Sequence, residues 1–328
     1  MTVSTGKLHI QIPSLSNVVS SYTGIIFLLA LIFIISVATP IFLTATNLVL
    51  VLKQIAIIGI ISCGMTFVII GKGIDLSVGS AVSLIGTVAA VLLAEKDASL
   101  FAAISVAFAI GVGIGAINGI MIIFGRIPPF ITTLVTMGAL KGITLIVGGG
   151  RFIADVNNKE PIFGFIGLGN VYGIPAQIFL YIVIVFISYI LLQKTIFGRG
   201  IYAIGANENV AVLSGINVKK AIFSTYIISG LSAAIASLVL VSRMGSAIPT
   251  MGVGYEFQAI VATVLGGTSL LGGQGSIRAA VIGAMIMGVL NNGLVLLGFS
   301  FEAQKLILGF LFITIIGAQG YSMARTTR

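Results

Sequence analysis

The 328-residue chain carries few of the groups that catalysis ordinarily uses: one histidine (His9), one cysteine (Cys63) and eight carboxylates. A single cysteine excludes a disulfide framework and any multi-cysteine metal site. Eight dispersed acids make no dense metal cluster, so no metal site is expected. No Gly-x-x-x-x-Gly-Lys-[Ser/Thr] loop occurs, so the chain is not expected to bind or hydrolyse ATP. Two acids stand out by position. Asp75 lies in Gly71-Lys-Gly-Ile-Asp-Leu-Ser-Val-Gly-Ser80, a glycine-rich break between apolar runs. Asp75 or Ser77 can cap the helix that follows. An acid at the edge of an apolar run is equally a candidate for contact with a pore or partner, or for a proton relay. Glu256 follows Arg243 in a second polar stretch, 243–258; it can pair with Arg243 or face a pore mouth or docking partner. Asp75, Ser77, Arg243 and Glu256 are therefore read as boundary or gate residues.

Further segments point to binding rather than chemistry. Gly198–Asn217 holds a short helical stretch from Asn207 to Leu213, with Asn207 as its N-cap. Asn207, Val210, Ala211, Leu213, Ser214 and Gly215 make up a candidate docking surface for a soluble partner; the alternative is a helix lying on a membrane interface. Asn118, Thr132, Thr133, Thr136 and Asn292 give mild polarity to apolar segments and are read as walls of a weak-contact conduit. The glycine-rich Leu265–Ser276 resembles a phosphate cradle only superficially and is expected to serve close packing or a hinge.

The elements that must position these residues follow from where charge is missing. Charged residues make up 8% of the chain and apolar ones 58%, against roughly 25% charged in soluble domains. A spanning helix needs about 20 apolar residues. The charge-free windows place spans at about 24–43, 53–71, 78–94, 101–124, 128–147, 178–193, 221–241, 257–272, 279–298 and 302–318. The fifth is the weakest, because Lys141-Gly142 interrupts it. The first run is too long for a cleaved signal and lacks a small-residue site after Thr39-Pro40, so it is expected to remain as an anchor.

Ten spans put both ends on one side. That side collects Lys7, Lys72, Arg126, Lys194, Arg199, Lys219, Lys220, Arg278, Arg325 and Arg328. The other collects Lys53, Lys96, Arg151, Lys159, Arg243 and Lys305, with Lys141 nearby. The excess predicts cytoplasmic termini. The net charge of +9 is spread too thinly for a nucleic-acid patch. Tyr22, Tyr202, Tyr226 and Tyr321 are expected to mark the inner interface, and Tyr172, Tyr181 and Tyr255 the outer. The expected organisation is a single transmembrane domain, 1–328. It has a cytoplasmic tail 1–21, a cytoplasmic loop 194–220 and a cytoplasmic tail 319–328. Small residues at Gly111, Gly115 and Gly119 in the fourth span, and at Ala280, Ala284, Gly288 and Asn292 in the ninth, share a spacing of four. Those spans cross in opposite directions, which suggests an inverted repeat.

Several of these pieces occur together in one family. Gly73-Ile-Asp-Leu-Ser-Val-Gly79, Pro129-Phe-Ile-Thr-Thr-Leu134, Gly198-Arg-Gly-Ile-Tyr-Ala-Ile-Gly205, Leu213-Ser-Gly-Ile-Asn-Val218, Gly254-Tyr-Glu-Phe-Gln-Ala-Ile260, Leu265-Gly-Gly-Thr-Ser-Leu270 and Asn291-Asn-Gly-Leu294 stand in family order over residues 47–317. By these the chain resembles the permease subunits of bacterial ABC importers for monosaccharides of the ribose, xylose and galactose type. Ala206 departs from the pattern, where many relatives carry glycine. The resemblance implies an all-α membrane fold of about ten helices, like the vitamin B12 importer. It implies a bacterial inner-membrane location, a second permease subunit as a homodimer partner, and a periplasmic or lipid-anchored sugar-binding protein. It also implies a separate ATPase subunit that holds ATP and Mg, leaving no cofactor on this chain. The loop 194–220 would then couple to that ATPase. A stand-alone secondary sugar transporter using Asp75 or Glu256 for ion coupling is the alternative. A membrane-embedded enzyme fits poorly, because the His, Cys and acids form no constellation.

Overall fold

The computed structural model describes residues 15–326. Lys7, His9 and Arg328 lie outside the described residues, as do the side chains of Tyr22, Tyr321 and Arg325. Fourteen helices and one two-stranded hairpin are present among the described residues. Among the described residues, six helices are long and apolar enough to cross a membrane: α2 (Ala45–Ile70), α4 (Leu100–Ile123), α5 (Pro129–Gly148), α8 (Ala176–Lys194), α11 (Val218–Met244) and α13 (Ile277–Leu296). The remaining apolar windows hold α1 (Leu15–Ala38), α3 (Val78–Ala94), α12 (Tyr255–Leu265) and α14 (Phe301–Thr326). Helix α1 thus starts inside the expected tail 1–21, and α14 continues into the expected tail 319–328.

Burial sorts the long helices. The apolar windows of α2 and α11 are 67% and 72% buried, and that of α8 only 22%. The first two form the centre of the bundle, and α4, α5 and α8 turn one face outward, as helices in lipid do. Glycines set how closely the centre packs. A Cβ on Gly111 would lie 2.5 Å from the Gly230 carbonyl of α11, and one on Gly115 would strike the Tyr226 backbone. The α4 stripe therefore seats α11 backbone to backbone. Gly283 of α13 plays the same part against Ala262 of α12.

The packing partners exchange under one substitution of labels. Helix α4 packs on α11 as α13 packs on α2; α3 packs on α4 and α11 as α12 packs on α13 and α2; α3 touches α5 as α12 touches α14. This is the pairing pattern of an internal repeat that relates α2–α5 to α11–α14.

Three expectations are corrected. The eighth span was expected over 257–272, but α12 stops at Leu265, where Gly266 and Gly267 (φ 113°) turn the chain. At 1.5 Å per residue its 11 residues reach only about 16 Å, half of a bilayer core. Helix α5 runs unbroken through Lys141-Gly142, because Lys141 lies on an exposed face. The connection 148–177 holds α6 (Val156–Lys159), α7 (Pro161–Leu168) and a hairpin of β1 (Asn170–Val171) with β2 (Ile174–Pro175). Loop 194–220 contains a second helix, α9 (Ile196–Ala206), ahead of the expected α10 (Glu208–Leu213).

Candidate functional site

Three groups of candidate side chains are placed by this frame. The first sits on α10. The Asn207 side chain accepts from Val210 N–H at 3.2 Å, the N-cap expected from sequence. Ser214 Oγ donates to the Val210 carbonyl at 2.8 Å, and Gly215 adopts φ 79° to reverse the chain. Ala211 is buried against Ile204, Val218 and Ala221 and so ties α10 to α9 and α11. Ala211 thus faces inward, unlike its apolar neighbours. Val210, Val212 and Leu213 point outward, and Leu213 is 88% exposed. Val212 joins the outward set without having been singled out from sequence.

This end of the molecule is firmly built. Gly273 N–H donates to the Ile70 carbonyl at 2.8 Å, and Tyr202 Oη donates to the Gly275 carbonyl at 2.7 Å. Phe67 and Phe197 stack at 6.4 Å. Partial burial raises the Tyr202 phenol above its ordinary pKa. The glycine-rich turn 266–276 thereby packs on α9 and the end of α2.

The second group is a buried chain of hydrogen bonds. Thr136 Oγ1 donates to Asn118 Oδ1 at 2.7 Å, and Asn118 Nδ2 donates to Ser77 Oγ at 2.9 Å. Ser77 Oγ donates to Asp75 Oδ1 at 2.5 Å, and Ser229 Oγ donates to Asp75 Oδ2 at 2.7 Å. Ser77 N–H also reaches Asp75 Oδ1 at 3.0 Å. The carboxylate therefore holds the start of α3, while Ser77 stands at the cap position with no side-chain cap bond of its own. Thr133 Oγ1 donates to the Pro129 carbonyl at 2.9 Å and lies 3.3 Å from the Ile74 carbonyl. Thr132 is fully buried, its hydroxyl without a hydrogen-bond partner. The glycines of this segment do not supply its left-handed residue: Lys72 does, at φ 64°. Gly73 is required because a Cβ there would meet Val68 and the Tyr226 hydroxyl. Asn292 lies apart from this network, in a reciprocal amide pair with Asn47 at 2.8 and 2.9 Å.

The third group lines a cavity of about 740 Å³ between α2, α11, α12, α13 and α14. Arg243 and Glu256 both face it, with Gln54, Gln258, Asn291, Gln304 and Lys305. Arg243 and Glu256 do not pair. Glu256 Oε2 instead accepts from Gly254 N–H at 3.1 Å. The ion pairs among the described residues are Arg151–Glu95 and Lys159–Asp97, each at 2.8 Å, which clip the 148–177 connection to the turn after α3. The Asp97 carboxylate raises the Lys159 pKa. Gln258 accepts from Asn291 Nδ2 at 3.1 Å, and Gln54 Oε1 is buried with no hydrogen-bond partner. Asn118, Thr132, Thr133, Thr136 and Asn292 do not line this cavity. The amides that do were overlooked in the sequence. Their signal was polarity inside apolar helices, and two of them, Gln258 and Asn291, lie within the motif pieces quoted above.

Helix α11 connects the ends. It starts beside Ala211 and ends at the cavity with Arg243, a rod of 27 residues or about 40 Å.

A family model described as a branched-chain amino acid transport system permease component matches residues 47–316. The ribose import permease protein RbsC of Haemophilus influenzae is 41% identical over 297 residues, covering 90% of this chain and 92% of that protein. The D-allose transport system permease protein AlsC of Escherichia coli K12 is 37% identical, covering 89% and 90%. The L-arabinose transport system permease protein AraH of the same strain is 35% identical, covering 89% and 88%. No solved structure matches the chain.

Proposed function

The chain belongs to the family of transport-system permease components and is a multi-pass membrane protein; from that premise we propose that it forms the membrane pathway of an ATP-driven importer for a monosaccharide. The observation that carries the reading is near-full-length similarity to permeases named for ribose, allose and arabinose. The cavity suits such a solute. Four amides, Gln54, Gln258, Asn291 and Gln304, offer donors and acceptors to a ring of hydroxyls beside the charged Arg243, Glu256 and Lys305. The substrate enters from the end carrying Arg151, Lys159, Arg243 and Lys305, which is the outer end of a ten-span arrangement with both termini in the cytoplasm. A binding protein delivers it there.

The opposite end meets the ATPase. Val210, Val212 and Leu213 enter a groove on that partner, in the helix-in-groove manner. Nucleotide and Mg stay on the partner. A second copy of the chain completes the pathway in the bacterial inner membrane. Asn118 and Thr136, with Ser77 and Asp75, fix the start of α3 beside the conduit. Thr132 and Thr133 on α5, and Asn292 apart from them on α13, are read as pathway-side polar groups outside the cavity lining. The test is ATP hydrolysis by the assembled complex in nanodiscs, with D-ribose, D-allose, L-arabinose and leucine each presented with its binding protein. Stimulation by one of the sugars and not by leucine supports the reading, and stimulation by leucine alone overturns the substrate class.

A further inference from the structure

A second groove, of about 450 Å³, runs between α8 and α13 on the outer surface of the bundle. Its walls are apolar: Ile182 and Phe186 from α8 face Val281 and Ile282 from α13. Ile182 and Phe186 are 57% and 62% exposed, so the groove opens to the bilayer rather than into the core. At one end the chemistry changes abruptly. Arg278 Cζ lies 5.7 Å from the centre of the Tyr189 ring, and Lys194 Nζ lies 5.9 Å from the same ring. One aromatic ring thus carries two cations. Neither cation has an ion pair among the described residues. We infer that this groove binds an anionic phospholipid, with the phosphate between Arg278 and Lys194 and an acyl chain along Phe186.

The occupant follows from charge and position. A basic cluster at the end of an apolar inter-helix groove is complementary to a phosphodiester above a hydrocarbon tail. A second copy of this chain is a poor fit, because it brings the same basic end. The acids elsewhere are Asp75, which is buried, six at the other end of the bundle, and Glu208 on α10, which is not in the groove lining. The inference rests on membrane embedding and is independent of which solute the cavity carries.

The chain has no tryptophan, so Phe186→Trp creates a single tryptophan in the groove, excited at the red edge of its absorption, apart from the tyrosines. The permease is titrated in detergent with phosphatidylglycerol or phosphatidylcholine carrying brominated chains. Phosphatidylglycerol is expected to quench at a roughly thirtyfold lower lipid concentration, since each cation near the headgroup contributes about a factor of five. Arg278→Gln with Lys194→Gln should abolish the preference, while Lys96→Gln at the other end should leave it unchanged. Equal quenching by both lipids, no quenching by either, or a preference surviving in the double variant overturns the proposal. Loss of the preference in low-millimolar inorganic phosphate would mean a soluble-anion site and overturns it too. Cross-linking between copies through Ile182→Cys would mean that a second chain fills the groove. Should the tryptophan variant fold poorly, the unmodified chain supplies the same contrast: phosphatidylglycerol should raise its melting temperature and phosphatidylcholine should not. No difference there also counts against the site.

Discussion

Leu213 and Ala211 are two residues apart on α10 and face opposite ways. Leu213 is almost fully exposed, and Ala211 is 1% exposed among Ile204, Val218 and Ala221. The same substitution should therefore fail in different ways. Leu213→Asp is expected to leave membrane insertion and melting temperature unchanged. It should weaken the complex with the ATPase by at least ~2 kcal/mol, roughly thirtyfold, as loss of a buried apolar anchor does. Ala211→Asp buries an unpaired carboxylate within the chain itself. It should lower the melting temperature before any partner is added. Co-purification and thermal unfolding of both variants check this; an unaltered complex with Leu213→Asp removes that residue from the interface. In the interior, Ser229 is one of two hydroxyls on Asp75. Ser229→Ala should cost about 1.5–3 kcal/mol, the range for a hydrogen bond to a charged group. Thermal unfolding in detergent reads it, and an unchanged melting temperature would show that Ser77 alone holds the start of α3.

Helices α4 and α11 supply an internal control. A Cβ on Gly115 meets the backbone of Tyr226 and Ile227, whereas one on Gly113 meets nothing within 4 Å. Gly115→Ala should destabilise by about 1–3 kcal/mol through overpacking, and Gly115→Leu by more. Gly113→Ala should be neutral or slightly stabilising. Equal yields and equal melting temperatures for the Gly113 and Gly115 variants would mean that the stripe faces lipid. At this scale much was legible in the sequence. Gaps between charges located the long helices, because a charge at the centre of a span is costly in hydrocarbon. The small-residue spacing identified the stripe that seats α11. Lys141 misled because the rule counts a charge without knowing which face carries it. Helix α9 escaped because its apolar run is short and is punctuated by Gly198, Arg199 and Gly200. The cavity was the least legible feature. Gln54, Arg243, Gln258, Asn291 and Gln304 come from five helices and converge only in three dimensions. Asn118 and Thr136, chosen for their polarity, satisfy each other across α4 and α5 instead.

The whole molecule sets a largely apolar cavity with a few polar and charged side chains at one end and a helix with exposed apolar residues at the other, with α11 running between them. The chain carries no phosphate-binding loop, so on its own it is not expected to hydrolyse ATP. A partner that changes shape against α10 can move α11, and α11 reaches Arg243 at the cavity. On the proposed docking of α10, energy from nucleotide would reach the solute through α11, whereas ion coupling would have to run through Asp75 or Glu256. The most direct measurement is D-ribose uptake into proteoliposomes that contain the permease, its ATPase and binding protein, with ATP sealed inside and a proton ionophore added. Uptake that requires ATP and persists with the ionophore is the predicted result. Uptake by the permease alone that collapses when the ionophore is added would contradict the account.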